Sequence, residues 1–417
     1  MRDHYTPRLL ARILNSEKLP LIRSIAEITH RVQPVVKIVS ITPSANHPGH
    51  ANVIVQAASF TDAKRQPSGL QDLRLFRNGQ MVGYLEGTLK DGDFTFSNIQ
   101  LPASAKTATF TAYAFNSERI KSVTAQKDYA YQPAAAARPR AWLLQIGVNH
   151  YEASGCELQF SANDAVQMSK VLADRLAARG LDVQAVQLVS TAARWGATKN
   201  EIRKALASIA AAATPDDVFF LSFSGHGYSS PDGQFYILSS DIQGSCSHAD
   251  AALLRNAISS DELANWLRPI DAGEMTFVLD SCYSAKSVEA NDFKPGPMGN
   301  RGLGQLAYDK HMRILAASQS DETAGEYASL GSGLLSYVLS HEGLVEKKAD
   351  WKPVDQKITV GEWLSYAANA VPKFDPRNTT KTDTKGIALE GPFAPHPSSA
   401  QIPAVFDFSK SDRFVLQ

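Results

Sequence analysis

Cysteine is scarce in this chain: three among 417 residues, at positions 156, 246 and 282. An odd number at scattered positions offers neither a disulfide framework nor zinc-ligand spacing, which fits a reducing compartment and a cytoplasmic protein. Neither sign of charge is in surplus, with Lys+Arg and Asp+Glu both at 42. That argues against a general role on nucleic acids or membrane surfaces, which takes a basic excess. No apolar run reaches the roughly 18 residues of a membrane span. Met1-Arg2-Asp3-His4 opens without a signal peptide's apolar core. There is no P-loop and no dinucleotide fingerprint, and His341-Glu342 lacks the second histidine of a zinc-peptidase motif. His47 and His50 flank Pro48-Gly49 and read as polar turn residues.

What is present is organised in blocks. Residues 1–33 form a lead-in with one short amphipathic stripe (Leu9, Leu10, Ile13, Leu14), too short to stand as a helix alone. Residues 34–132 carry seven apolar-alternating runs: Val35–Ile41, Val53–Phe60, Leu73–Phe76, Met81–Leu85, Phe94–Leu101, Thr107–Phe115 and Ser122–Tyr131. Asn78-Gly79 between two of them is a strong hairpin signal. The pattern predicts an all-β, immunoglobulin-like sandwich acting as spacer or docking module. Residues 133–139 read as a linker, 140–393 as an α/β domain, and 394–417, rich in Pro and Ser at its start, as an extended tail.

In the α/β block, strand-like runs (Ala141–Val148, Val183–Val189, Asp217–Ser224, Met275–Asp280, Arg313–Ser318) alternate with helical segments. Three of these helices open on capping boxes: Thr198 to Glu201, Ser259 to Glu262 and Thr359 to Glu362. Such alternation predicts a mostly parallel sheet with helices on both faces. Two strands end in reactive residues. Asp217–Ser224 runs into Gly225-His226-Gly227, and Met275–Asp280 runs into Ser281-Cys282-Tyr283. Open α/β sheets bind ligands at the carboxyl ends of their strands. If the two strands are parallel neighbours, His226 and Cys282 emerge together as base and nucleophile.

Ser-Gly-His-Gly followed by Asp-Ser-Cys-Tyr-Ser resembles the caspase–metacaspase superfamily of cysteine peptidases. The caspase histidine lies about 50 residues before its cysteine, and here the separation is 282 − 226 = 56. The resemblance spans roughly residues 138–375 and implies an endopeptidase in which Cys282 attacks as thiolate, His226 protonates the leaving amine, and the Cys282 and Gly227 N–H groups form the oxyanion hole. It also implies specificity. Metacaspases that cut after Arg or Lys have aspartate two residues before the nucleophile, as Asp280 stands here. Asn163-Asp164-Ala165 resembles the segment supplying a second acid, and Glu322-Thr323-Ala324-Gly325-Glu326 the segment supplying a third, at Glu326. Three carboxylates would attract a cationic P1 side chain and repel aspartate. The calcium requirement of many metacaspases is doubtful here, because Tyr228–Gln234 holds a single acid, and no cofactor is expected.

Residues 286–312 are rich in Gly and Pro and stand where the superfamily is often cut during maturation. Arg301, between Asn300 and Gly302, is the preferred self-cleavage site, with Lys294 and Lys310 as others. Phe293–Gln319 further resembles bacterial caspase-family proteins with a WD-repeat propeller ahead of the sandwich, a propeller not present in these 417 residues. The expected partners are a protein or peptide substrate and a regulatory domain or partner reached through the sandwich and the N-terminal segment. Two alternatives stand beside this reading: a catalytically silent scaffold on a caspase fold, and a peptidase with aspartate preference.

Overall fold

The computed structural model describes residues 32–61, 67–135, 137–230, 234–246, 251–281, 302–317, 325–374, 381–384, 401–410 and 414–417. The lead-in up to residue 31, Cys282, Lys294 and Arg301 lie outside the described residues.

Seven N-terminal strands form as their alternation predicts: β1 (Val35–Pro43), β2 (His50–Ala58), β3 (Gln71–Arg77), β4 (Gln80–Thr88), β5 (Gly92–Gln100), β6 (Thr107–Phe115) and β7 (Ala125–Ala130). They make two antiparallel sheets, ordered β1-β2-β5 and β4-β3-β6-β7. Val53, Val55 and Phe96 from one sheet and Leu73, Leu75 and Phe110 from the other share one buried core. Asn78 and Gly79 both take positive φ (51° and 87°), the conformation a two-residue hairpin needs to follow strand twist.

The second part contains β8 (Arg140–Val148), α1 (Ser161–Ala178), β9 (Asp182–Ser190), α2 (Lys199–Ala212), β10 (Val218–Ser224), β11 (Gly227–Ser229) and β12 (Phe235–Ile237). There follow α3 (Ala251–Arg255), β13 (Ile258–Ser259), α4 (Ser260–Leu267), β14 (Glu274–Asp280), α5 (Gly302–Lys310) and β15 (Arg313–Ala316). The last elements are β16 (Gly325–Tyr327), β17 (Ser332–Gly333), α6 (Leu334–Tyr337), α7 (Val360–Ala370), β18 (Lys381–Thr384) and β19 (Ala404–Asp407). A six-stranded sheet runs β19-β15-β14-β10-β8-β9. Every pairing in it is parallel except β19 on β15. All seven residues of β10 are buried, as a central strand covered on both faces requires. The three predicted capping boxes are present before α2, α4 and α7.

Three expectations are corrected. The C-terminal segment is no loose tail: β19 completes the sheet, and the N–H of the fully buried Leu416 donates to Ile358 O at 2.7 Å. The sandwich is no detached spacer. Arg77 pairs with both Asp271 oxygens (2.8 and 2.9 Å), and Arg74 meets Asp309 at 3.2 Å. Gln80 donates to Ala272 O at 2.6 Å, and Phe76, Met81, Tyr113 and Phe115 join the core of the α/β part. Finally, Cys156 and Cys246 are joined by a disulfide across 90 residues. Sequence spacing could not show that pairing, which removes the support that unpaired cysteines gave to a reducing compartment. No helix among the described residues is long and apolar enough to cross a membrane.

Candidate active site

The site grows from strand register. β10 and β14 pair in parallel over their whole length, with Ser224 opposite Asp280, and β8 places Gly147 opposite Ser224 on the other side. The three strands therefore end level. His226 follows two residues after Ser224, and Cys282 stands two residues after Asp280 in the chain. The histidine and the strand leading to the cysteine thus share one carboxyl edge of the sheet.

His226 is buried and held at three points. Its backbone N–H donates to Tyr151 Oη at 2.9 Å, and its ring lies 5.3 Å from the Tyr151 ring. Its Nε2 lies 2.9 Å from Cys156 O. A carbonyl can only accept, so Nε2 carries a proton and the neutral ring presents Nδ1 as its basic nitrogen. Leu238 N donates to His226 O at 3.0 Å, which makes that a hydrogen-bonded pair. By the alternation of an antiparallel ladder, Gly227, opposite Ile237, directs its N–H away from β12. That orientation suits an oxyanion donor.

The acids predicted for specificity gather around residues 325–336. Asp280 Oδ2 accepts from Ser336 Oγ at 2.6 Å. Asp164, in the first turn of α1, accepts from Ser224 Oγ (2.8 Å), Ser332 Oγ (2.5 Å) and Gly333 N (3.0 Å). Both are buried. Because Ser224 bonds to Asp164 and is the register partner of Asp280, it links the two carboxylates. Sequence reading passed over Ser224, although it stands two residues before His226 on an inward-facing strand.

Glu326 lies in the same neighbourhood but does other work. Its oxygens accept from Gln159 N (2.9 Å), Phe160 N (3.1 Å) and Ser161 Oγ (3.0 Å). The N-cap residue Phe160 has no side-chain acceptor to offer. A carboxylate from elsewhere in the chain therefore satisfies the orphan amides at the positive end of α1. Asn149 Oδ1 adds a bond from Ala162 N at 2.7 Å. Glu326, expected as a third substrate-facing acid, is thus engaged in fastening the helix that carries Asp164. Close packing completes the fastening, since a Cβ on Gly147 would come within 2.3 Å of Ser161 O.

Lys310 is also placed. It ends α5, only 3% exposed, with Nζ donating to Ile270 O at 3.0 Å. A peptide bond in a helix behind a buried side chain is not open to cleavage, so Lys310 is withdrawn as a cut site. Among the described residues no group of three His, Cys, Asp or Glu side chains is arranged to hold a metal.

A mostly parallel sheet with a histidine after one strand, and with a cysteine two residues beyond its parallel neighbour in the sequence, fits a caspase-like α/β domain. Residues 140–291 match the family model for the metacaspase, peptidase C14 domain. The chain is 24% identical over 250 residues to Metacaspase-1 of Pyricularia oryzae, covering 59% of this chain and 60% of that protein. It is 28% identical over 170 residues to Metacaspase-1B of Aspergillus terreus, covering 40% and 43%. The chain thus spans less than two thirds of the length of either relative. A solved structure of a Geobacter sulfurreducens protein matches 63% of this chain and all of that chain, at 16% identity and a TM-score of 0.37. That likeness is too slight to carry an argument. Residues 140–291 are thus similar to the peptidase domain of the metacaspase family of cysteine peptidases.

Proposed function

We propose that this chain is an endopeptidase that cuts after Arg or Lys through Cys282 and His226. The observation that carries the reading is the register of β10 against β14, with Ser224 opposite Asp280 and Asp164 bonded to Ser224. It sets the histidine and two carboxylates at one edge, with the cysteine next in the chain.

In the proposed reaction Nδ1 of His226 takes the proton of the Cys282 thiol. The thiolate adds to the scissile carbonyl, and the Gly227 and Cys282 N–H groups receive the oxyanion. Collapse breaks the C–N bond, with the proton passing from His226 to the leaving amine. Water then hydrolyses the thioester with His226 again as base. Asp280 and Asp164 receive the P1 guanidinium or ammonium. Glu326 acts at one remove, by holding α1. No cofactor enters these steps. Arg301 and Lys294 are the self-cleavage sites proposed for the stretch of sequence before α5. The sandwich, which we read as immunoglobulin-like, anchors α5 through Arg74 and offers its remaining surface to a regulatory partner.

The test is hydrolysis of fluorogenic peptides ending in Arg, Lys or Asp, with Cys282→Ala alongside. Cleavage after Arg or Lys that Cys282→Ala abolishes supports the reading. Cleavage only after Asp overturns the acidic pocket. No cleavage, together with no labelling of Cys282 by a thiol-directed peptidyl inhibitor, favours a silent scaffold.

A further inference from the structure

We infer that the Cys156–Cys246 disulfide is a positioning element for His226, so that the peptidase reaches its full rate only with Cys282 reduced and this pair oxidised. The inference deepens the proposed function and rests on it for its catalytic consequence.

The loop from β8 to α1 touches the histidine twice, and the two contacts are secured differently. Tyr151, which holds the His226 backbone, adjoins residues pinned to a neighbouring segment. Glu152 N donates to Ser240 O at 2.8 Å, and Ser154 N to Gly244 O at 3.0 Å. Cys246 N returns a bond to Ser154 O at 3.1 Å, and further on Leu158 N donates to Asn149 O at 2.8 Å. Between Ser154 and Leu158 stand three residues. Gly155 takes a left-handed φ of 69°, and both it and Glu157 are exposed, while Cys156 between them is 1% exposed. What draws Cys156 inward is its bond to Cys246, which brings the two Cα atoms to 5.3 Å. The carbonyl of this same residue accepts from His226 Nε2. The backbone of His226 is therefore held by a hydrogen-bonded loop, whereas the acceptor that fixes its ring and tautomer hangs on the disulfide.

Reduction should consequently leave the fold and the acidic pocket in place and release the ring. A dithiol reductant attacks one sulfur of the pair to give a mixed disulfide. Its second thiol then displaces the protein sulfur, so the reductant ends as a cyclic disulfide and the protein as two thiols, gaining two electrons and two protons. Without the covalent tie the Cys156 carbonyl is free to leave Nε2, and the preference for a proton on Nε2 that this acceptor imposes is weakened. A small misplacement of a catalytic group costs on the order of tenfold to a hundredfold in rate.

The experiment compares the oxidised chain, the chain reduced with dithiothreitol, and Cys156→Ser/Cys246→Ser, all with Cys282 kept as thiol and thiols counted by alkylation and mass. The expected result on an Arg peptide is kcat lower by about tenfold or more in the last two, with KM within about threefold and the pH profile of kcat/KM altered. Reoxidation restores the reduced chain but not the double variant. Unchanged kcat and pH profile in both would overturn the inference. A second readout needs no activity: nitrogen NMR of His226 in the Cys282→Ala background. A single Nε2–H tautomer is expected when the pair is oxidised, and a mixture when it is reduced or replaced by serine. An inactive oxidised chain whose tautomer still follows the disulfide would sink the peptidase reading and keep the positioning role. An indifferent tautomer would sink the positioning role itself, including where the double variant folds poorly, because the reduced wild-type sequence reports the same quantity.

Discussion

Two sets of carboxylates in this molecule, buried or half-buried, are satisfied in different ways. At the junction of the sandwich and the α/β part, Asp271 and Asp309 meet the guanidinium groups of Arg77 and Arg74. At the carboxyl edge of the sheet, Asp280 and Asp164 accept from serine hydroxyls and a backbone amide. A guanidinium cancels a carboxylate's charge as well as filling its lone pairs, and the pair becomes part of the wall. A hydroxyl fixes direction without cancelling charge and can turn its proton elsewhere when a stronger donor arrives. The first set is therefore an adhesive, and the second is what the proposed function requires of a receptor.

The largest effect should come from removing charge at the receptor. Asp280→Asn keeps the shape and an acceptor for Ser336. It should lower kcat/KM on Arg peptides by about two to three orders of magnitude, the cost of leaving a buried cation unpaired. Asp164→Asn should cost somewhat less. Peptides ending in citrulline, which is close in shape to arginine but neutral, make the check specific: the preference for Arg over citrulline should collapse in both variants. A preference surviving in Asp280→Asn would break the comparison, because the hydroxyl-bound acids would then be no more than wall.

Removing charge at the adhesive should act on stability alone. Arg74→Met leaves Asp309 buried without its guanidinium and should destabilise the chain by about 3 kcal/mol in urea unfolding. The Arg/citrulline preference of the folded fraction should not change. A change there would mean that α5 transmits the junction's state to the pocket.

The two sets differ too in how far the sequence betrayed them. The places of Asp280 and Asp164 in the fold were legible because each lies within a few residues of a local signal, a strand end or a helix start. The capping boxes at Thr198, Ser259 and Thr359 were legible for the same reason. Asp309 was not, because its partner Arg74 is 235 residues away on a strand that reads as an ordinary part of the sandwich. The partners of Glu326 were hidden for the mirror-image cause. Its family position suggested a pocket acid, while the amides that claim it belong to a helix start with no cap in its own sequence. Cys156 carried no signal at all, since what matters about it is a partner 90 residues on and a backbone carbonyl that any residue would possess.

The smallest effect sharpens the comparison by pH. Next to Asp309, Lys310 is buried, and that burial pulls its ammonium from 10.5 down to about 8. The folded chain therefore binds this proton less readily than the unfolded chain, and stability linked to Lys310 rises as pH climbs from about 8 to 10.5 and is lost as pH falls back through 8. At pH 7 the buried charge costs about 3 kcal/mol relative to the neutral amine. Lys310→Met abolishes that cost but leaves Ile270 O without its donor, a loss of about 1 kcal/mol. The variant should thus be the more stable chain at pH 7, by about 2 kcal/mol, and the less stable one above pH 10.5, so the two stability curves cross. Parallel curves would show that the ammonium is better compensated than its setting implies. The junction would then be a neutralised network throughout, and the contrast with the hydroxyl-held acids at the sheet edge would be wider still.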